Sequence, residues 1–383
     1  MQTQRNNAFD NLRGIVVLFV VIYHFSVLMN LNIQYVSNLG LLGVKIFFLI
    51  SGYLIFASFQ KNVHQYGLFR GTREYFINRF FRIIPAYYFN LIVIILIVPF
   101  IITDYSFIFS VAFLKQIVVH MLFLAYLVYR DNGWGLNGSY WTLSIELLWY
   151  ILIPILFVYL NTIKRIFLIL ILSILYLFLL ENRKLDFLVG LIKPAGEFNI
   201  NYEDLIIYLS YQLPGQLMFF SVGILLLKFN KKLNFNIPIN KGLSFFLIAI
   251  TIIGSVLLSN ISVSSLTLKN LYLGIIAVLV FVILINISSN KSNILSWLGK
   301  ISYSVYLWHY PILAIGKKIE IFRYVSPLQF ACIFTVLLLV ISGMSYYFIE
   351  KMGLSIKDSF RKWKQNRATV KAYSSFKGPN QSA

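Results

Sequence analysis

Cysteine is nearly absent from this chain. Its one copy, Cys332, lies within an apolar run, which excludes an intramolecular disulfide and a cysteine-based metal site. Charge is scarce as well. Asp, Glu, Lys and Arg supply 12% of the 383 residues, 59% are hydrophobic, and the mean hydropathy is +0.78. So little polar surface excludes a soluble domain of this length. The repeated apolar runs near 20 residues define a polytopic helical membrane protein instead. No cleavable signal peptide is evident, because Asn30 and Asn32 follow the first apolar run where a small-residue cleavage site would stand. Acidic residues are outnumbered, 13 against 33 basic ones, for a net charge of +20. The excess is concentrated in loops and in the tail between and after the apolar spans. There it serves orientation and contact with anionic headgroups, so nucleic acid is rejected as a partner. No internal repeat and no second domain is visible.

The apolar segments fall at 12–30, 39–59, 84–103, 116–129, 141–160, 166–180, 204–228, 243–258, 270–287, 302–316 and 328–349, with 116–129 and 302–316 the weakest as full spans. Lys61, Arg70, Arg73, Arg79 and Arg82 make the loop 60–83 basic. The polar tail 350–383 is also basic, and the positive-inside rule puts both in the cytoplasm. Taking 116–129 as short or re-entrant keeps Lys164, Arg165 and Lys291 inside as well. The expected fold is an all-α polytopic membrane protein with about ten transmembrane helices plus one short or re-entrant segment. Residues 1–350 form the membrane domain and 351–383 a basic, disordered cytoplasmic tail, with both termini cytoplasmic.

Five constellations could carry chemistry. Arg13 and His24 lie eleven residues apart on the first apolar helix, so they share a face about 16 Å apart along the axis. Ionisable groups in such a segment default to a functional hypothesis, and His24 could act as a general base if its neighbours tune it. Asp10 could cap this helix or pair with Arg13. Arg79 and Arg82 share a helix face at a membrane mouth, where paired guanidiniums could grip phosphates or simply anchor the helix. Glu146, in Trp141-Thr142-Leu143-Ser144-Ile145-Glu146, reaches a depth similar to His24, and a buried carboxylate needs a partner, His24 or another polar group. Ser51-Gly52 permits close helix packing, and nothing favours Ser51 as a nucleophile over that role. Tyr303 and His309 belong to Ile301–Pro311, which could line a cavity for a hydroxylated ligand or form an interfacial aromatic belt. His64 is solvated, and His120 has no obvious partner. Nothing in the sequence requires a metal.

These blocks, in this order, resemble the acyltransferase-3 family of membrane O-acyltransferases. The matching pieces are FDNLRGIVVLFVVIYHF, FFLISGYLIF, RFFRIIPAYY, SYWTLSIELLWYILIP and ISYSVYLWHYP, spread over residues 9–350. The resemblance implies transfer of an acyl group, usually acetyl from cytosolic acetyl-CoA, to a sugar hydroxyl of a bacterial surface polysaccharide or lipid-linked precursor, at the bacterial cytoplasmic membrane. The family's Arg-and-His motif maps onto Arg13 and His24, its paired arginines onto Arg79 and Arg82, and its helix-5 acid onto Glu146. The next position is often acidic in the family and is Leu147 here. On this reading His24 is the base, oriented or charge-stabilised by Glu146, and Arg13 completes the catalytic group. Arg79 and Arg82 hold the CoA phosphates. Asp10, Ser51, Trp141, Ser144, Tyr303 and His309 line the substrate site. The alternative is a transporter of a glycan or lipid-linked intermediate.

Overall fold

A computed structural model describes residues 7–31, 36–101, 108–125, 136–192, 201–233, 265–287, 293–359, 361 and 366. Among these, every regular element is a helix. The elements are α1 (Asn7–Leu28), α2 (Ser37–Tyr66), α3 (Leu68–Ile101), α4 (Val111–Met121), α5 (Tyr140–Leu156), α6 (Ile163–Glu181), α7 (Asp186–Ile192), α8 (Tyr202–Tyr211), α9 (Leu213–Leu233), α10 (Leu266–Ile287), α11 (Ile294–Lys318) and α12 (Pro327–Ser345). The last continues through a π-helical turn, Tyr346–Glu350, and on as helix to residue 359.

Local sequence sets several of these boundaries. Asn293 and Ser326 start α11 and α12 with capping boxes completed by Ser296 and Gln329, and Pro327 occupies the first turn, where its missing N–H costs nothing. The stretch 60–83, expected as a basic loop, is helix apart from the break at Gly67. Lys, Arg, Gln and Glu are good helix formers, so charge sets where the chain sits rather than whether it is helical. Residues 351–359 are likewise helical. Arg361 just beyond them binds Glu74 Oε2 at 2.5 Å and Asn78 Oδ1 at 3.2 Å, which fastens the start of the tail to α3.

Seven helices among the described residues are long and apolar enough to cross a membrane: Asn7–Leu28, Asn38–Tyr66, Leu68–Pro99, Ile163–Glu181, Tyr202–Asn230, Leu266–Asn286 and Pro327–Ser359. The chain is therefore a multi-pass membrane protein. The count of about ten is not reached among the described residues. α5 is apolar but has 17 residues, α11 has 25 but is too polar to count with the seven, and the expected segment 243–258 lies outside the described residues. α4, at 11 residues, rises about 16 Å and is too short to span. His120, which sequence left without a partner, ties this short helix down. Its Nδ1 bonds Gln116 O (2.7 Å), its Nε2 accepts from Leu136 N (3.1 Å), and its carbonyl accepts from Tyr87 Oη (2.8 Å).

α1 packs along α11 and α2, and α2 along α9. Small residues set these crossings. A Cβ on Gly52 would strike the Phe220 carbonyl, and one on Gly223 would strike the Leu49 carbonyl, so α2 and α9 meet backbone to backbone as Ser51-Gly52 suggested. α1 and α11 meet in the same way, Gly14 against Leu295 O and Gly299 against Asp10 O.

Candidate active site

α1, α2, α3, α5 and α11 converge on one cavity. Arg13, Ser51, Arg79, Arg82, Glu146 and Tyr303 all line it, together with Thr142, Tyr150 and Tyr306. Three guanidiniums against one carboxylate give the cavity a positive balance suited to an anion. Arg79 sits against the rings of Tyr75 and Tyr150, 5.7 and 5.3 Å from their centroids, which fixes its direction, whereas Arg82 is exposed. Arg13 lies 3.8 Å from the buried carboxylate of Asp10 one turn earlier. Asp10 is thus inside α1, paired with Arg13 rather than capping the helix.

Glu146 is not beside His24. Its Oε1 accepts from Ser51 Oγ at 2.5 Å. Of the two alternatives for the partner of Glu146, His24 or another polar group, the structure gives the second, Ser51.

His24 lines a second cavity, with Gly40 on α2, Trp141 on α5 and Tyr310 on α11. Its partner is His309, whose Nε2 lies 3.1 Å from His24 Nδ1. His24 Nδ1 also contacts Val20 O (3.0 Å), and His309 Nδ1 contacts Val305 O (3.2 Å). A carbonyl only accepts, so each Nδ1 is assigned the proton. His309 Nε2 then carries a lone pair, and the single His24 Nδ1–H is shared between it and Val20 O. His24 Nε2 keeps its lone pair, the form a general base needs. His309 is buried behind His24, and the rings of Tyr23 and Tyr310 stand edge-on to His24, at 4.9 and 5.6 Å.

The two cavities are stacked along the bundle. On α1 they run from Arg13 to His24, on α2 from Ser51 to Gly40, on α5 from Glu146 to Trp141, and on α11 from Tyr303 to Tyr310. They meet at Val44 and Tyr306, which line both. Trp141 stacks on Tyr211, with centroids 5.1 Å apart. Ser144 is buried and, like Asp10, belongs to neither lining. Sequence reading passed over Thr142 and Tyr306 as site residues. The available signal was periodicity: Tyr306 lies one turn from both Tyr303 and His309, and Thr142 one turn from Glu146. It also passed over Lys45, buried on α2, which donates to Gln216 Oε1 at 2.7 Å and lies over the Tyr211 and Phe219 rings.

A cationic cavity and a histidine cavity thus adjoin inside one helical bundle, with Val44 and Tyr306 in both linings. Residues 6–347 match the acyltransferase-3 family, whose description is an acyltransferase domain, and the chain belongs to that family. It is 26% identical over 371 residues to the O-acetyltransferase OatA of Staphylococcus aureus, covering 89% of this chain and 56% of that protein. It is 28% identical over 396 residues to the peptidoglycan O-acetyltransferase OatA of Listeria monocytogenes, covering 89% and 54%. The chain thus spans little more than half the length of these relatives. No solved structure matches it.

Proposed function

We propose that the protein is an O-acetyltransferase that moves acetyl from acetyl-CoA to a sugar hydroxyl of a bacterial cell-envelope polysaccharide or lipid-linked glycan. The observation that carries this reading is the stacking of a cavity with three arginines onto a cavity with a paired histidine. The names of the relatives support the same chemistry.

Arg79 and Arg82 hold the CoA phosphates, because guanidiniums bind phosphate through paired charge-assisted hydrogen bonds. Arg13 lines the same cavity and adds its charge. The positive charge of the stretch 60–83 and of the C-terminal tail supports a cytoplasmic setting for this end, the side on which the donor is made. The pantetheine arm carries the thioester along the bundle to the waist at Val44 and Tyr306. The acceptor hydroxyl enters from the His24 end. His24 Nε2 removes the hydroxyl proton as the oxygen attacks the thioester carbonyl. The C–O bond forms, the C–S bond breaks, and CoA leaves as a thiolate that takes up the proton His24 gives back. The positive charge that His24 gains in this step is met by His309 Nε2 on its Nδ1–H.

The test is transfer of labelled acetyl from acetyl-CoA by the protein in proteoliposomes to an envelope glycan fragment, with mass spectrometry of surface glycans from a deletion strain to identify the acceptor. Ester formation dependent on His24 is the expected result. Movement of the glycan across the bilayer without an ester would establish the transporter reading instead.

A further inference from the structure

The waist between the two cavities is built from two side chains with almost no freedom. Val44 is buried on α2, and a β-branched residue in a helix holds essentially one rotamer. Tyr306 is held by its hydroxyl, 2.6 Å from Thr142 Oγ1 and 3.0 Å from Ser139 O. Ser139 is fixed in turn: its N and Oγ both donate to Asn137 Oδ1 (3.0 and 2.8 Å), and Asn137 Nδ2 donates to Leu307 O at 3.2 Å. Phe47, its centroid 6.1 Å from that of the Tyr306 ring, backs it on the α2 side. Swinging Tyr306 aside would strip its hydroxyl of partners in a water-poor interior, where unmade hydrogen bonds are expensive. Val44 and Tyr306 are therefore held in place where the two cavities adjoin, and neither side chain is free to swing aside.

We infer that Val44 and Tyr306 set the length of the acyl group that the protein transfers. The inference rests on the donor and acceptor directions proposed above. A thioester advancing from the arginine cavity leads with its acyl tail. An acetyl methyl ends at the waist. Each added methylene must pass between Val44 and the Tyr306 ring and then enter the space that the acceptor hydroxyl needs beside His24. A rigid apolar pocket discriminates about 10–200-fold per methylene, so short donors are favoured by this aperture alone.

The experiment measures kcat/KM for acetyl-, propionyl- and butyryl-CoA with one glycan acceptor, using the full chain in proteoliposomes. The unaltered protein should prefer acetyl over propionyl by at least about 10-fold. Val44→Ala should raise the propionyl-to-acetyl and butyryl-to-acetyl ratios by about 10-fold, and Val44→Ile should lower the propionyl-to-acetyl ratio. Tyr306→Phe, which keeps the ring and removes its anchor, should broaden the range as well. Because Val44→Ala and Val44→Ile move the ratio in opposite directions, loss of one variant to misfolding leaves the other decisive. Ratios unchanged in active, His24-dependent Val44 variants would overturn the aperture and leave the acetyltransferase reading standing. No transfer from any of the three donors by the unaltered protein would overturn both.

Discussion

His309 Nε2 stands 3.1 Å from His24 Nδ1, which brings two rings 285 residues apart into hydrogen-bonding contact. His24→Ala should lower acyl transfer by about 10²–10⁴-fold in protein that still elutes as a folded species, the usual contribution of a positioned base. In the proposed mechanism His309 acts through His24. His309→Gln keeps an acceptor for Nδ1–H and should retain more kcat than His309→Leu, with the donor KM alike in both. Near-normal transfer by His24→Ala would remove His24 from the chemistry.

Arg82 is the exposed arginine of the three-arginine cavity, so its loss should be felt in binding and hardly in folding. Arg82→Ala should raise the KM for acetyl-CoA about 10-fold with little change in kcat, since a phosphate contact lies far from the reacting carbonyl. Arg82→Lys should recover only part of this, because an ammonium lacks the guanidinium fork. Unchanged donor KM in Arg82→Ala would leave the residue as a membrane anchor.

Ser51 and Glu146 form one hydrogen-bonded pair and should behave as one in a double-mutant cycle. Ser51→Ala and Glu146→Gln should show a coupling of about 0.5–3 kcal/mol in thermal unfolding in detergent. Strict additivity would mean that the 2.5 Å contact contributes nothing to stability.

Gly52 and Gly223 face carbonyls across the α2–α9 crossing. Gly52→Ala and Gly223→Ala should each destabilise the bundle by about 1–3 kcal/mol, because backbone rather than a flexible side chain must move. Fluorescence-detected size exclusion after a heating series reads the effect, and unchanged melting would show that the helices sit further apart.

Orientation is tested by single cysteines introduced at residues 64 and 366 in a Cys332→Ala background. Both should resist an impermeant maleimide in intact cells and react after permeabilisation. Labelling of either in intact cells would reverse the assignment of the donor face.

Hydropathy and the fixed rise of a helix made the bundle legible. Together they give where each helix runs and how deep each residue sits. They say nothing about azimuth or neighbours. Glu146 needs a polar partner, His24 or another group, yet equal depth does not make contact. α5 turns Glu146 toward Ser51 on α2, and α1 turns His24 toward α11. Arg13, Arg79 and Arg82 reach one cavity because each sits near the same end of its own apolar segment, which spacing does reveal. The waist escaped notice because Val44 is an ordinary apolar residue in an apolar run. Only the meeting of two cavities distinguishes it from its neighbours.

The contact between α1 and α11 keeps a constant offset. Gly14 abuts Gly299, and ten residues later in each helix His24 meets His309, both pairs separated by 285 in sequence. The two helices therefore run parallel and in phase over about 15 Å. One residue added or removed between glycine and histidine in either helix would rotate that imidazole by about 100° and draw it off its partner. Ten is thus a length that this pair of helices cannot change on one side alone. Any natural insertion in α1 would have to be matched by one in α11 for the proton to find the same neighbour.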